Sequence, residues 1–493
     1  MSSSSRVRDA VVAVCSAVAL AASFPKLGAT WLVPFAAAAQ FWVWQGASWK
    51  RAALLGWFAG IVFFAIGYDW IGHTVGGYIG AFGPFLMLGP ALVEAPFFAL
   101  AAVLAVVAYR YLRPGAAPLA AAAAFAFCEW FRSVGILGAP FDQLGYTQAG
   151  TPLRAIGAYL GSYGITFTIC IFGAYLADAL HRRTWRPFAT ACVALAGVTA
   201  IAWLAWPARH LPAPTVEVAA IQGNIAQSLK WNALNLAISR YTLMTRAAAA
   251  RKPKIVVWPE TVVTTTLNLD DALMDRFSNL ARQTRATIVA GSLRLQGRRA
   301  YNSLYFFQPD GLLQTYDKRQ LVPFAESFPG RPFLSWLPYV GALSGRFSTG
   351  KDDNVYPTAA HLSVAPLICW ESAFSDLAFA QVRNGAQLLV ISTDDAWFGT
   401  TSGPYMHAQI AQMRAIESGA YVVRAAATGI SGVIAPDGSW QNRSRMEQRV
   451  IVAGKVGPRV PTLFAIIGPT GVALLIVDLY VVLLLVARRK TNA

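Results

Sequence analysis

Three side chains suited to covalent catalysis follow predicted strands in the second half of this 493-residue sequence. Glu260 stands after the apolar run 255–258 and Pro259, Lys318 comes directly after a predicted hairpin strand, and Cys369 ends an apolar strand. Proline ends a strand's hydrogen-bond ladder, which leaves Glu260 at the lip of the sheet. Because an open α/β sheet presents its ligands at strand ends, all three positions are candidates for an active site.

These residue types suit acyl transfer through a thioester. A thiol attacks as the thiolate, which forms when a neighbouring base or cation lowers the pKa of the thiol. A partly buried Glu260 can take the proton of Cys369 and return it to a leaving group. Lys318 can stabilise both the thiolate and the oxyanion of a tetrahedral intermediate.

Each candidate also has a plain structural explanation. Glu260 alone is more often a solvated loop charge, and Lys318, between Asp317 and Arg319, is more often a surface charge. Cys369 has no cysteine partner between residues 211 and 460, so it is either a nucleophile or an inert core residue. The other cysteines fall in apolar runs, where a free thiol is a small hydrophobe: Cys15, Cys128, Cys170 and Cys192.

The sequence predicts neither a metal site nor a cofactor. Its five histidines show no ligand spacing such as His-Glu-x-x-His. A protease dyad of Cys369 and His407 is the remaining arrangement, and the sequence offers no identifiable third residue to orient the imidazole.

Strand and helix patterns alternate between residues 211 and 460. Strands are predicted at 215–220, 254–258, 287–295, 301–307, 312–316, 361–368, 387–392, 421–426, 430–434 and 449–456, the last reached in a hairpin-like end through the turn 436–438. Helices are predicted at 235–250, 269–285, 373–384 and 405–418. This mixed order predicts sheets covered by helices, an α/β sandwich.

The composition indicates that much of the chain lies in lipid. It is 56% hydrophobic and only 13% charged, where a soluble domain carries about 25% charged residues. This excludes an ordinary cytosolic enzyme and a disordered chain. The net charge of +17 would suit nucleic acid in a soluble protein, but the basic residues cluster between apolar runs, where membrane topology explains them better.

About eight apolar windows are long enough to be read as spans, at roughly 20 residues each. They lie at about 10–24, 29–45, 52–72, 84–108, 115–131, 155–180, 187–206 and 463–487. The basic groups at alternate ends place both termini in the cytoplasm by the positive-inside rule: Arg6, Arg8, Lys50, Arg51, Arg110, Arg113, Arg182, Arg183, Arg186, Arg488, Arg489 and Lys490.

This topology divides the chain into a membrane domain at 1–210, an extracytoplasmic catalytic domain at 211–460, and a final transmembrane helix with a cytoplasmic tail at 461–493. Residues 1–24 can instead be interpreted as a cleaved signal peptide, which leaves the remaining topology unchanged.

The three candidate segments resemble the nitrilase superfamily, whose members carry a Glu-Lys-Cys triad. Further matches extend over the chain: Gln222-Gly223-Asn224-Ile225, Lys230-Trp231, the stretch 318–326, Asp395-Ala396-Trp397-Phe398-Gly399, Glu129-Trp130-Phe131-Arg132 and Gly161-Ser162-Tyr163-Gly164. Together with the predicted spans, the chain resembles the apolipoprotein N-acyltransferase family from end to end.

The resemblance implies an αββα fold and a role for each matching residue. Glu260 corresponds to the general base, Lys318 to the oxyanion-stabilising lysine and Cys369 to the nucleophile. The supporting positions are Glu326, which assists lysine and cysteine, Glu371, two residues after the cysteine, and Trp231, associated with lipid substrates.

The resemblance also implies the reaction and its setting. The family transfers an acyl chain from a phospholipid to the free amine of a diacylglyceryl-cysteine at the N-terminus of an apolipoprotein, the last step of lipoprotein maturation. The implied partners are the phospholipid donor, the apolipoprotein acceptor and membrane lipids, with no nucleic acid. The implied location is the bacterial inner membrane, with the catalytic domain on the periplasmic side.

The sequence departs from the family at several points. Asp394 stands where Asn is usual, residues 425–427 are alanines where polar residues are usual, Trp370 replaces a frequent Tyr, and Gly138-Ala139-Pro140-Phe141 replaces Gly-Phe-Pro-Trp. Because the triad is intact, these differences bear on donor or acceptor preference.

Three alternatives remain open. A membrane-tethered nitrilase-type amidase shares the triad but needs only one anchor. A transporter with an accessory domain predicts inverted repeats, which the sequence lacks, and an inactive relative could serve as a lipid-binding scaffold. The apolar segment 328–339 is either a loop that dips into lipid or one that packs on its own domain.

Overall fold

The computed structural model describes residues 3–79, 85–135, 137–211, 213–328 and 347–488. The loop predicted at 328–339 falls almost entirely outside the described residues, as do Arg489 and Lys490 near the C-terminus.

The described residues of the first part of the chain are mainly α-helical. Its helices are α1 (Ser3–Ala22), α2 (Val33–Gln45), α3 (Trp49–Gly67), α4 (Asp69–Ile79), α5 (Leu88–Tyr111), α6 (Ala117–Phe131), α7 (Arg154–Arg182) and α8 (Arg186–Leu204). Most are apolar around their whole circumference, which is typical of helices buried in a bundle or in lipid. In α8, Val193 is 73% exposed and Ile201 is 68% exposed, so this helix turns its apolar side chains outward.

Five helices in the described residues are long and apolar enough to cross a membrane: Trp49–Gly67, Phe85–Tyr111, Arg154–Arg182, Arg186–Leu204 and Phe464–Val486. The apolar helix α6 is shorter, and α2 has only 13 residues. Helices coincide with all eight predicted windows, which confirms a helical bundle, while the number of eight spans stays a prediction.

The second part of the chain is a sandwich built from twelve strands among the described residues. They are β1 (Val216–Gln222), β2 (Ile255–Val257), β3 (Val263–Thr266), β4 (Thr287–Gln296), β5 (Arg299–Phe307), β6 (Leu313–Asp317), β7 (Val364–Ile368), β8 (Leu388–Thr393), β9 (Tyr421–Ala426), β10 (Gly432–Ile434), β11 (Trp440–Arg443) and β12 (Val450–Val456). The helices are α9 (Leu234–Ala248), α10 (Asp271–Thr284), α11 (Ser375–Arg383) and α12 (Gly403–Ser418), and the final helix is α13 (Phe464–Val486).

The strands form two sheets that face each other. The first has the order β12-β1-β2-β4-β5-β6, with β3 beside β4, and the second has the order β11-β10-β9-β8-β7. Because strand side chains alternate between faces, Val218 of β1 packs with Val390 of β8 between the sheets, while Ala219 packs with Ile238 of α9 outside. Leu389 of β8 faces α11 and α12. These layers confirm the predicted αββα sandwich.

The strand predictions need two corrections. The turn 436–438 joins β10 to β11, whereas β12 leaves that hairpin and pairs antiparallel with β1 in the other sheet. β11 was not predicted because Gln441, Asn442 and Arg443 make it polar, and β3 was missed because it has only four residues.

The sandwich and the bundle meet where α7 is interrupted. Gly161 has φ 63° and ψ −168°, a conformation open essentially to glycine alone. At this break the Ser162 N–H donates a hydrogen bond of 2.9 Å to Oε1 of Glu417 in α12. The other Glu417 oxygen forms an ion pair with Arg414 at 2.9 Å. A carboxylate of the sandwich thereby satisfies a helix donor of the bundle. Phe464 of α13 packs directly against Gly161.

We expect Gly161→Ala to destabilise the protein by about 2 kcal/mol or more. The new methyl group would force an L-residue into this conformation and overlap the Phe464 ring. Thermal unfolding in detergent measures the change. Gly197→Ala in α8 is the matched control, because a Cβ there meets no atom within 4 Å and alanine favours a helix by about 1 kcal/mol over glycine. Equal unfolding temperatures for the two variants would contradict this account of the joint.

Candidate active site

Glu260 is buried just beyond β2 and is held by donors from three directions. Its Oε1 accepts hydrogen bonds from Lys318 Nζ at 3.1 Å and Asn302 Nδ2 at 2.7 Å. Its Oε2 accepts the backbone N–H of Asp394 at 3.0 Å. Burial raises the pKa of Glu260, but Lys318, Lys230 and Asn302 outweigh it, so the pKa lies below its usual range. Glu260 is therefore an ionised carboxylate in the resting site.

Lys318 lies just after β6 with only 1% of its side chain exposed. Its ammonium sits between Glu260 and Glu326, at 2.9 Å from Glu326 Oε2. Burial lowers the pKa of Lys318, but the two carboxylates raise it well above its usual range. Glu326 is itself fixed, because its Oε2 accepts the Val322 N–H at 2.8 Å and its Oε1 accepts Asn302 Nδ2 at 3.0 Å.

Cys369 follows β7 at a strained turn. Its φ of 51° is uncommon for a residue other than glycine, and the residue is half-buried. Burial and the Glu260 carboxylate hold the pKa of the Cys369 thiol well above its usual range, while Lys318 and a hydrogen bond with Thr393 offset part of this rise. Cys369 therefore rests as a thiol, and a base must take its proton before the sulfur can act as a nucleophile.

Glu371 joins the turn that carries Cys369 to the segment that follows Lys318. Its Oε1 accepts the Tyr316 hydroxyl at 2.9 Å, the Gln320 N–H at 3.1 Å and also the Arg319 N–H. Its Oε2 accepts the Ile368 N–H at 2.7 Å. One fully buried carboxylate therefore joins the end of β7 to the segment that follows Lys318.

His407 contacts the backbone of Cys369. Its Nε2 is 2.7 Å from Ser372 Oγ and 3.1 Å from the Cys369 carbonyl oxygen, and its Nδ1 is 2.9 Å from Asp395 Oδ1. Asp395 also pairs with Arg424 at 2.8 Å. Asp395 is the orienting group that the sequence did not reveal. These contacts hold the turn that carries Cys369, and they occupy both ring nitrogens of the histidine.

The structure brings together the side chains of Glu260, Lys318 and Glu326. It also places Cys369 close enough to Glu260 and Lys318 for both charges to shift the pKa of its thiol. Trp231 is 53% exposed, and the centroid of its ring lies 5.8 Å from the Lys230 ammonium. Sequence reasoning missed Asn302, which bridges two carboxylates from β5. In the described ranges no group of three or more histidine, cysteine or acidic side chains is placed to hold a metal ion.

Two family models match the chain. A model described as the apolipoprotein N-acyltransferase N-terminal domain matches residues 16–175, and a carbon–nitrogen hydrolase model matches residues 217–454.

Curated relatives match most of the chain. The apolipoprotein N-acyltransferase of Methylococcus capsulatus is 31% identical over 470 residues, covering 91% of this chain and 90% of that relative. The one from Caulobacter vibrioides is 33% identical over 407 residues, covering 77% of this chain and 75% of that relative. A solved structure of a carbon–nitrogen hydrolase superfamily protein from Xanthomonas campestris matches with 20% identity and a TM-score of 0.39, covering 49% of this chain and 90% of that one.

We expect Glu371→Gln to destabilise the protein and to loosen the turn that carries Cys369. A glutamine amide replaces one acceptor oxygen with a donor, so at least one of the buried N–H or O–H groups loses its partner, which costs roughly 1–3 kcal/mol. Two quantities should fall: the midpoint temperature of unfolding in detergent, and the rate at which iodoacetamide alkylates Cys369. The control is Glu217→Gln on β1, whose carboxylate pairs with Lys455 near the surface at 3.5 Å. An unchanged alkylation rate in Glu371→Gln would show that the carboxylate does not position Cys369.

Proposed function

We propose, from the premise that the chain belongs to the apolipoprotein N-acyltransferase family, that it moves an acyl chain from a phospholipid, through a thioester on Cys369, to the N-terminal amine of a diacylglyceryl-cysteine. Membership follows from a relative more than 30% identical over 91% of the chain and from the two family models. The chain is accordingly an acyltransferase with a carbon–nitrogen hydrolase domain and apolar membrane helices.

The observation that carries the assignment of roles is the buried contact between Glu260 and Lys318 beside Cys369. An ionised carboxylate is available as the base, and a charged ammonium is available for a developing oxyanion. The Cys369 thiol lies close enough to both charges for each to shift its pKa. We assign these three residues as catalytic. Glu326 and Glu371 support them through the lysine and the nucleophile turn, and Trp231 is assigned to lipid handling.

In the first half-reaction Glu260 takes the proton of the Cys369 thiol, and the sulfur forms a bond with the ester carbonyl carbon of the phospholipid. Lys318 stabilises the oxyanion of the tetrahedral intermediate. The intermediate collapses by breaking the bond between the carbonyl carbon and the glycerol oxygen. Glu260 returns the proton to that oxygen, so a lysophospholipid leaves and an acyl thioester remains.

In the second half-reaction the free amine of the diacylglyceryl-cysteine attacks the thioester carbonyl. A carbon–nitrogen bond forms, the carbon–sulfur bond breaks, and Glu260 carries a proton from the amine to the departing sulfur. The products are an N-acylated apolipoprotein and the free Cys369 thiol, so the cycle needs no further reactant. Both substrates are lipid-anchored, which requires a site beside the bilayer.

Packing beside the nucleophile supports a lipid-side reaction. Trp370, the residue after Cys369, stacks on Phe141 with ring centroids 4.9 Å apart. Trp70 at the start of α4 packs edge-on against Phe398 at 4.9 Å. The nucleophile turn therefore rests on residues that belong to the helical half of the chain.

The amidase alternative uses the same triad on a small soluble amide. It gives no reason for a bundle that packs against the nucleophile turn, and the relatives that match both halves of this chain are named acyltransferases. These points favour acyl transfer between lipid-anchored molecules.

We assign residues 1–210 to the membrane domain, 211–460 to a catalytic domain on the periplasmic side of the inner membrane, and 461–493 to the final span with its cytoplasmic tail. The positive-inside rule supports this orientation through Arg182, Arg183 and Arg186, which flank the junction of α7 and α8.

Wild-type protein incubated with phosphatidylethanolamine vesicles alone should gain the mass of one acyl chain on Cys369. Peptide mass spectrometry locates the adduct. Glu260→Gln should slow its formation by at least about a hundredfold, because the base is lost, and Cys369→Ala should abolish it.

The Glu217→Gln variant should form the adduct at the wild-type rate, because its carboxylate lies on β1 at the surface. Ammonia released from small amides, with no acyl adduct from phospholipid, would instead establish the amidase. If the folded wild-type protein forms neither the acyl adduct nor ammonia, the chain is instead the inactive lipid-binding scaffold.

The proposed orientation predicts opposite labelling of two exposed positions. A cysteine in place of Arg298, in the turn between β4 and β5, should react with a membrane-impermeant maleimide added to intact spheroplasts. A cysteine in place of Arg183, between α7 and α8, should react only after permeabilisation. Peptide mass mapping separates these labels from those on native cysteines, and the reverse pattern would overturn the orientation.

A further inference from the structure

A second buried lysine lies close to the base. Lys230 occupies the short helical turn Lys230–Asn232 between β1 and α9. Its Nζ donates a hydrogen bond of 2.6 Å to the Thr261 hydroxyl and forms an ion pair with Asp394 Oδ2. The side chains of Lys230 and Asp394 are both at least nine-tenths buried. A lysine from one segment therefore joins the residue after Glu260 to the residue after β8.

Asp394 holds Glu260 with its backbone. The Asp394 N–H donates to Glu260 Oε2 at 3.0 Å, and its Oδ1 accepts the Ala396 N–H at 3.3 Å. The carboxylate thus fixes the position of its own backbone donor, while Lys230 fixes the carboxylate. A buried charge with a partner removed is costly, so the two charges depend on each other.

We propose that Lys230 and Asp394 are positioning residues that hold Glu260 in its proton-accepting orientation and balance the charge beside it. The inference rests on the proposed function, in which Glu260 is the base. It assigns Lys230 as the partner of Asp394, a position at which the family usually has asparagine. Neither residue touches the reacting sulfur, and both act through Glu260.

The charge arrangement distinguishes this role from a merely structural one. The charged and titratable groups that face Glu260 are Lys318, Lys230, Asp394, Glu326 and Cys369. Lys230 favours the ionised form of Glu260, and Asp394 disfavours it. Removing the Asp394 charge should therefore lower the pKa of Glu260, and removing the Lys230 charge should raise it. A buried opposite charge at this range shifts a carboxyl pKa by about one unit or more.

The experiment measures iodoacetamide alkylation of Cys369 against pH, because alkylation requires Glu260 to accept the thiol proton. In full-length Asp394→Asn protein in detergent, the pH of half-maximal rate should fall by about one unit, and the plateau rate should drop several-fold because a weaker base remains. In Lys230→Gln the pH of half-maximal rate should rise by a similar amount. The double variant should return close to the wild-type value.

Lys455→Gln is the matched control, because it removes a lysine charge of the same domain that pairs with Glu217 at the surface. Its pH profile should match that of the wild type. If Lys230→Gln fails to fold, Asp394→Asn and the double variant still give the opposed comparison, since asparagine keeps the backbone donor and the Oδ1 acceptor. Shifts in the same direction, or none in folded Asp394→Asn, would overturn the inference.

The acyl adduct on wild-type Cys369 separates this test from that of the proposed function. An adduct with unshifted variants would reject only the role of Lys230 and Asp394. A wild-type protein that forms no adduct would reject the proposed function itself.

Discussion

The site depends on one buried ammonium group. Lys318 is almost wholly removed from water, and a charge in such a place is tolerated only when it is paired and hydrogen-bonded. Glu260 and Glu326 provide that pairing, from the end of β2 and from the loop after β6. The fold must therefore bring these two segments together. The same ammonium helps to keep Glu260 ionised beside the neutral thiol of Cys369.

The strand order explains how distant segments reach this ammonium. β2 and β6 belong to one sheet, separated by β4 and β5, while β7 and β8 belong to the facing sheet. Asn302 on β5 spans the distance by donating to both carboxylates, and Asp394 after β8 reaches Glu260 across the interface between the sheets. Groups from both sheets therefore converge only because the two sheets pack together, and loosening either sheet would separate Glu260 from Cys369.

Much of this was predictable from the sequence, because local patterns encode it. Apolar strands followed directly by Glu260, Lys318 and Cys369 identified the candidate triad, and the alternation of strands and helices identified the sandwich. Contacts between residues far apart in sequence were not predictable. Asn302, the Lys230–Asp394 pair and the Asp395–His407 contact depend on strand pairing and sheet packing. The placement of β12 beside β1 was missed for the same reason, because periodicity gives a strand but not its partner. The number of spans was not predictable either, because the short apolar helices α2 and α6 have the same composition as membrane-spanning ones.

The turn that carries Cys369 is constrained from two sides, which explains why a strained residue persists there. On one side Glu371 binds the Ile368 N–H and His407 contacts the Cys369 carbonyl, so the backbone before and at the cysteine is fixed. On the other side Trp370 stacks on Phe141 of the helical half. A positive φ at a residue other than glycine costs of order 1–3 kcal/mol and survives only where the surroundings over-determine it. Because part of that surrounding comes from the bundle, the geometry of the thiol is a property of the joined chain rather than of the sandwich alone.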